Sequence, residues 1–278
     1  MTHRFLYFPG CKIPDHLPQY GTSTLGVFSV LGIIAEDAEF NCCGYPVRHQ
    51  DAVASILSAA KNLAIADQKG LDIVTPCKCC FGNLNHAVFR LKKEPDLKRR
   101  INGLLSKEGL TWHGRARVHH ILQVFRHHVG IDNIVNQVST PLSHLKVAAH
   151  YGCHALRPSD VVNFDNPTAP TIFEDLIRAI GAKPVEWPLR LECCGYPLWE
   201  KNSRLSLSLM GKKVLDADAS GADLICTACT YCQMMFDNVR FVEKNMNPDL
   251  PKLPSVLYTQ LLGMALGLDI GLDDFPLK

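Results

Sequence analysis

The sequence lacks an excess of charge: 29 lysines and arginines face 27 aspartates and glutamates, a formal net charge of +2 over 278 residues. It has no long basic run, which argues against nucleic acid as a partner. It also has no apolar run of the ~20 residues that a bilayer-crossing helix needs. The stretch from Gly26 to Ala35 is far too short. That from Val256 to Leu268 carries Thr259, Gln260 and two glycines, and reads as a buried or amphipathic helix. From Met1 the chain runs directly into the strand-like Phe5-Leu6-Tyr7-Phe8, without the apolar region and cleavage site of a secretory signal. The expected location is therefore the cytoplasm, with no membrane span. Two cofactor signatures are missing too. There is no Gly-x-Gly-x-x-Gly dinucleotide fingerprint. Cys226, Cys229 and Cys232 begin a ferredoxin-like Cys-x-x-Cys-x-x-Cys run that never closes.

Against these absences stand twelve cysteines. In a reducing compartment structural disulfides are rare, so clustered cysteines point to metal or redox chemistry. Scattered buried thiols acting as small apolar residues are the plain alternative, and the spacing argues against it. The chain repeats itself. Phe5-Leu6-Tyr7-Phe8-Pro9-Gly10-Cys11 matches Val147-Ala148-Ala149-His150-Tyr151-Gly152-Cys153. Cys42-Cys43-Gly44-Tyr45-Pro46 recurs as Cys193-Cys194-Gly195-Tyr196-Pro197, and Thr75-Pro76-Cys77 with Cys80 recurs as Thr227-Ala228-Cys229 with Cys232. A fourth block pairs Gln123 and Val129-Gly130-Ile131-Asp132 with Gln260 and Leu266-Gly267-Leu268-Asp269. Two halves follow, 1–140 and 141–278, joined near residues 135–145.

Each half opens with an apolar run ending in Gly-Cys, which reads as a strand carrying a cysteine at its C-terminal end. After each Cys-Cys-Gly a helical pattern follows: Val53, Ile56, Leu57, Ala60, Leu63 and Ala64 in one half, Leu205, Leu209, Val214 and Leu215 in the other. Gly70 and Gly221 are the expected stops, and a short strand then leads into each Cys-x-x-Cys. The expected fold is α/β: two pseudo-symmetric units, each a small, mostly parallel sheet with flanking helices. Ligands belong at the carboxyl ends of such strands. His119-His120 and His127-His128, set among Ile121, Val124, Phe125 and Val129, read as a partly solvated helix face.

Each half thus offers five ordered cysteines: Cys11, Cys42, Cys43, Cys77 and Cys80, then Cys153, Cys193, Cys194, Cys229 and Cys232. A structural zinc takes four, and an adjacent pair suits a multi-iron cluster better than one small ion. Ordinary clusters also use four cysteines, so the fifth hints at an unusual one. Gly44 and Gly195 would give the backbone the tight path that approach to a cluster needs. Cys79 and Cys226 have no counterpart in the other half and read as spare thiols.

At these residues the chain resembles the B-subunit family of heterodisulfide reductases, whose members carry two cysteine-rich CCG domains. The resemblance covers essentially the whole chain, including His150-Tyr151-Gly152-Cys153-His154, Pro158-Ser159-Asp160, Asp165-Asn166-Pro167 and Gln260 to Gly267. It implies two non-cubane [4Fe-4S] clusters, each on the five cysteines of one half, with a disulfide substrate lodged between them. It also implies two partners: a ferredoxin-like C subunit that feeds electrons, and a flavin-containing, electron-bifurcating A subunit that supplies it. The implied activity is an oxidoreductase acting on sulfur groups, reducing a disulfide to thiols or the reverse. Both cysteine pairs are followed here by Gly-Tyr-Pro, where the methanogen members carry other residues. The expected substrate is therefore a disulfide or related sulfur compound, not the coenzyme M–coenzyme B heterodisulfide in particular.

His154, beside Cys153, is the expected proton donor, since histidine titrates near neutral pH. Tyr45 and Tyr196 lie near the clusters in sequence. Lys12, Arg48, Arg157 and Lys201 could hold an anionic substrate. Two rival readings remain at this level: an iron–sulfur electron-transfer subunit of a lactate- or glycolate-oxidising complex, where CCG domains also occur, and a zinc-stabilised scaffold.

Overall fold

The computed structural model describes residues 3–238, 242 and 248–270. In the first half β1 (His3–Tyr7), β2 (Ile33–Glu36), β3 (Ile73–Thr75) and β4 (Val118–His120) form a sheet in the order β2-β1-β3-β4. In the second, β5 (Lys146–Ala149), β6 (Lys183–Pro184), β7 (Leu224–Thr227) and β8 (Ser255–Leu257) repeat it as β6-β5-β7-β8. Every pairing is parallel. Helices cover the faces, so the central strands β3 and β7 are buried along their whole length, as parallel strands must be.

The helices run in chain order. The first half holds α1 (Lys12–His16), α2 (Pro18–Val30), α3 (Ala52–Lys69), α4 (Lys78–Lys93), α5 (Pro95–Leu105), α6 (Ile121–Gln123) and α7 (Ile131–Gln137). The second holds α8 (Ser159–Val162), α9 (Ile172–Ala179), α10 (Ser203–Ala219), α11 (Thr230–Phe236) and α12 (Tyr258–Ala265). The equivalent helices α3 and α10 start alike: Asp51 and Asn202 accept from the backbone N–H three residues on, at 2.9 and 3.0 Å. Gly70 ends α3 in the left-handed region, φ +67°.

The fourth repeated block has a local cause. Gln123 Oε1 accepts from the His120 N–H and Gln260 Oε1 from the Leu257 N–H, both at 3.1 Å. Each glutamine therefore fixes the turn from an edge strand into the helix behind it. The stretch from Val256 is accordingly first strand and then helix, buried almost throughout.

Two sequence expectations change. On α10 the inward stripe is Ser206, Leu207, Met210, Gly211, Lys213, Val214 and Ala217, while Leu205 and Leu215 are exposed. A buried serine, glycine and lysine hide the true stripe from a reading of apolar periodicity. Second, His119 and His120 belong to strand β4, not to a helix face. His120 is fully buried and its Nε2 lies 3.1 Å from the Ala228 carbonyl of the other half. His127 and His128 do lie on a helical segment, a π-helical turn over Val124–Gly130, with His127 exposed.

The halves exchange their last helices. α12 packs on α2 of the first half, while α6, the π-turn and α7 pack on α9 of the second. Ser23 and Thr259 hydroxyls meet at 2.7 Å across this contact, both buried. Phe28, Phe125, Tyr258 and Phe173 form a continuous ring-to-ring path through it, with centroid spacings of 6.1, 6.0 and 5.7 Å. One apolar core consequently runs through both sheets.

Candidate metal centre

The fold carries the cysteines to one place. Cys11 and Cys153 follow the central strands β1 and β5. The adjacent pairs lie in the loops after β2 and β6, and the Cys-x-x-Cys pairs follow β3 and β7. Cys77 and Cys229 are the N-cap residues of α4 and α11, so Cys80 and Cys232 stand in the first helical turn. The carboxyl ends of the strands in both sheets hold all ten cysteines singled out by the repeat.

The sulfurs of each half form the same ordered chain. The titration of each thiol is coupled to its neighbour's in the order Cys11 with Cys42, Cys42 with Cys43, Cys43 with Cys80 and Cys80 with Cys77. In the second half the same coupling runs from Cys153 to Cys193, Cys193 to Cys194, Cys194 to Cys232 and Cys232 to Cys229. The charge pattern repeats with it. Cys42 is held far below the usual thiol range, first by Cys11 and then by Cys43. Cys193 is held low by Cys153 and then Cys194. The thiols of Cys11 and Cys153 are correspondingly pushed up by Cys42 and Cys193 in turn.

The two chains of sulfurs touch at the pseudo-symmetric centre. The sulfurs of Cys77, Cys79 and Cys229 lie within 4.8 Å of one another. Cys79, set aside on sequence grounds because it breaks the repeat, is therefore at the junction of the two sets. Cys226 lies on β7, fully buried, its thiol pushed up by burial.

Two cavities flank this centre. One, of only about 10 Å³, is bordered by Cys11, Lys12, Cys43, Cys77, Cys80 and Tyr231. The other, also of about 10 Å³, is bordered by the second set together with Lys78, Cys79, His154 and four tyrosines, Tyr45, Tyr151, Tyr196 and Tyr231. Tyr231 borders both. Its ring lies 5.5 Å from that of Tyr45 and 4.5 Å from that of Tyr196. His154 closes the row: its Nδ1 is 3.4 Å from Cys153 Sγ and 3.7 Å from Cys79 Sγ, and its Nε2 is 3.3 Å from the Tyr45 hydroxyl. Burial, with Arg48 adding to it, lowers the basicity of His154.

Of the residues expected to hold an anion, Lys12 borders the first cavity. Arg48 stacks over the Tyr45 ring at 3.7 Å. Arg157 and Lys201 are exposed and border neither cavity. Gly44 and Gly195 take the tight path expected of them, and their N–H groups donate to Cys42 Sγ and Cys193 Sγ, both at 3.4 Å. A Cβ on Gly44 would sit 2.4 Å from the Ser55 carbonyl, and one on Gly195 2.5 Å from that of Ser206. What presses on them is the first turn of the following helix, and both hold positive φ, +85° and +96°. Two further glycines lie against the sulfurs: a Cβ on Gly10 would meet Cys80 Sγ at 2.8 Å and one on Gly152 would meet Cys232 Sγ at 3.6 Å.

Sequence reasoning missed Tyr231, Lys78, His150 and Lys213. A charged residue inside the first Cys-x-x-Cys was the available signal for Lys78. The donors fit iron–sulfur binding better than zinc binding: each half supplies five linked sulfurs, one more than a tetrahedral zinc accepts. An unpartnered buried imidazole points the same way. His150 is fully buried, neither ring nitrogen has a hydrogen-bond partner among the described residues, and the ring lies within 4.8 Å of the Cys194 and Cys232 sulfurs. Cluster sulfur would accept from it.

The fold and the donor set define a duplicated cysteine-rich α/β protein with two cysteine sets face to face, suited to iron–sulfur binding. The CCG cysteine-rich domain model matches residues 5–85 and 147–237. The chain belongs to this family and, within it, to that of the heterodisulfide reductase B subunits. It is 32% identical over 266 residues to the B subunit of the ferredoxin/F(420)H(2)-dependent CoB-CoM heterodisulfide reductase from Methanosarcina acetivorans, covering 94% of this chain and 88% of the other. The 8-methylmenaquinol:fumarate reductase membrane anchor subunit of Wolinella succinogenes is also 32% identical, over 96% of this chain and 94% of that one. A crystal structure of a hypothetical protein from Helicobacter pylori shares the fold, with a TM-score of 0.76 and 18% identity. The match covers 97% of this chain, which spans 51% of that one. No helix among the described residues is long and apolar enough to cross a membrane.

Proposed function

We propose that this chain is the catalytic B subunit of a heterodisulfide-reductase-type complex, reducing a disulfide or related sulfur compound to thiols, or running the reverse, at the gap between its two cysteine sets. The supporting observation is the identical sulfur chain in each half, meeting at Cys77, Cys79 and Cys229 beside an aromatic-lined gap. Cys11, Cys42, Cys43, Cys77 and Cys80 would hold one non-cubane [4Fe-4S] cluster, and Cys153, Cys193, Cys194, Cys229 and Cys232 the other. Such groups, when bound, supply electrons one at a time. Opening a disulfide takes two electrons and two protons and yields two thiols, which gives the duplication its use.

The chain's own residues would do the rest. Tyr45, Tyr196 and Tyr231 offer flat apolar walls to a sulfur compound and exclude water from it. His154, held between Cys153 and Tyr45, would deliver a proton to the departing thiolate. With no dinucleotide fingerprint in the sequence, electrons would arrive across a protein interface, from a ferredoxin-like C subunit supplied in turn by a flavin-containing, bifurcating A subunit.

The protein purified without oxygen is expected to carry about eight irons per chain. It should reduce disulfides with a strong artificial one-electron donor and not with NADPH. Turnover with NADPH, in the absence of any partner protein, would sink this reading. The match to the fumarate reductase anchor subunit supports a second one, an electron-transfer subunit whose chemistry lies elsewhere in its complex, like the part such domains play in lactate- and glycolate-oxidising complexes. Full iron with no disulfide reduction by any donor would favour it.

A further inference from the structure

The two sites share a backbone and a cysteine set but not their surroundings. Three positions related by the repeat differ in one sense. The residue after the first cysteine of each Cys-x-x-Cys reaches across to the other half. Lys78 crosses to the second site, where it borders the cavity and its Nζ donates to the His150 carbonyl at 2.8 Å. Its counterpart Thr230 crosses to the first site, with its hydroxyl 3.0 Å from Cys77 Sγ. On the helices after the cysteine pairs, Asn62 and Lys213 occupy the same turn. The Asn62 amide donates to the Asn41 and Cys42 carbonyls, at 3.1 and 3.2 Å. The Lys213 ammonium donates to the Leu189 carbonyl and feels Cys194 and Cys232 most strongly among its charged neighbours. At the strand end, apolar Phe8 matches His150.

The second site is thus faced by two buried lysine amines, whose basicity burial lowers and the facing cysteines raise, and by an unpartnered imidazole, with Lys78 and Lys213 each only 1% exposed. The first is faced by an amide, a hydroxyl and a phenyl ring. Its nearby cation, Lys12, is half-exposed and screened by water. Near the second site Glu192 is the opposing carboxylate, and it lies exposed at the rim. Glu174 is engaged by the Tyr151 hydroxyl at 2.5 Å and by Arg190 at 3.8 Å.

We propose that Lys78, Lys213 and His150 make the second site the more easily reduced of the two, so that an electron reaching either site settles on the one built from Cys153, Cys193, Cys194, Cys229 and Cys232. The inference rests on the reading of both sets as iron–sulfur sites. Reduction adds one negative charge to a site, with no bond made or broken. Buried positive groups and hydrogen-bond donors to sulfur stabilise that charge most where water is excluded. The greater enclosure of the second site works the other way and lowers the basicity of both lysines, whereas the negative charge of the facing cysteines keeps them protonated and aimed at the added electron.

The test is a redox titration of the reconstituted full-length protein, with dithionite supplying the electrons and paramagnetic resonance reporting each site. Iron and sulfide are assayed first: absence of clusters refutes the underlying reading, whereas two clusters reduced together refute only this inference. Two separate one-electron steps are expected. Cys194→Ala should remove the step at higher potential. Lys213→Met should lower that step by at least tenfold in equilibrium constant, 59 mV for one electron, and leave the other in place. Lys213→Gln and His150→Phe should act in the same direction and serve if the first variant loses its metal. Removal of the lower step by Cys194→Ala, or an equal movement of both steps in the lysine variants, would overturn the proposal.

Discussion

At the scale of single residues, Cys79 and Cys43 make the sharpest contrast. Both thiols are buried, both are next to a cysteine in sequence, and both have sulfur neighbours. Only Cys43 has a counterpart in the other half. Cys43→Ala or Cys194→Ala is therefore expected to lower iron to about half and abolish disulfide reduction, while Cys79→Ala and Cys226→Ala keep the full complement. Iron analysis of the four variants decides it, and loss of iron from the Cys79 variant would mean that the ligands of the first half are misassigned. His154 has its own test. His154→Gln should retain both clusters and reduce disulfides about 100-fold more slowly, the usual scale of a lost proton donor. Undiminished turnover would leave the histidine a structural part alone.

At the scale of elements, the turn between each cysteine pair and its helix is the critical joint. Gly44 needs a positive φ and has no room for a Cβ against Ser55. Gly44→Ala should cost about 1–3 kcal/mol and displace the pair. Gly103, exposed on α5 with open space around it, is the control: alanine there should stabilise the protein by about 0.5–1 kcal/mol. Thermal melts of the two variants should move in opposite directions. These elements also show what the sequence discloses. Strands, helix starts and the gathering of ten cysteines follow from apolar runs, caps and the repeat, because each is local or periodic. The tyrosine row and the exchanged helices are not, since they depend on how one half meets the other. Lys213 illustrates the difference: a lysine in a helical pattern reads as solvent-facing until the facing sulfurs are known.

At the scale of the molecule, the two halves complete each other. α12 covers α2, and the aromatic path Phe28–Phe125–Tyr258–Phe173 joins the sheets. Each such side chain, if left in water, forfeits about 1.5–3 kcal/mol, which is a large share of the margin by which domains are stable. A chain ending at Leu257 should therefore fail to fold, even though every cysteine is retained. The first half alone should fail likewise, whereas the two halves produced together should reassociate. Circular dichroism and gel filtration would show it, and a folded first half holding about four irons on its own would contradict it.

The exchange of helices also bears on how the protein is made. A ribosome releases α2 early and α12 late, and synthesis proceeds at about 5–20 residues per second. For that interval the nascent first half lacks its cover and displays six cysteine sulfurs with no finished surroundings. On the proposed iron–sulfur reading, neither cysteine set has its finished surroundings until α12 has emerged, so filling would follow the synthesis of α12, on a chain kept reduced in the meantime.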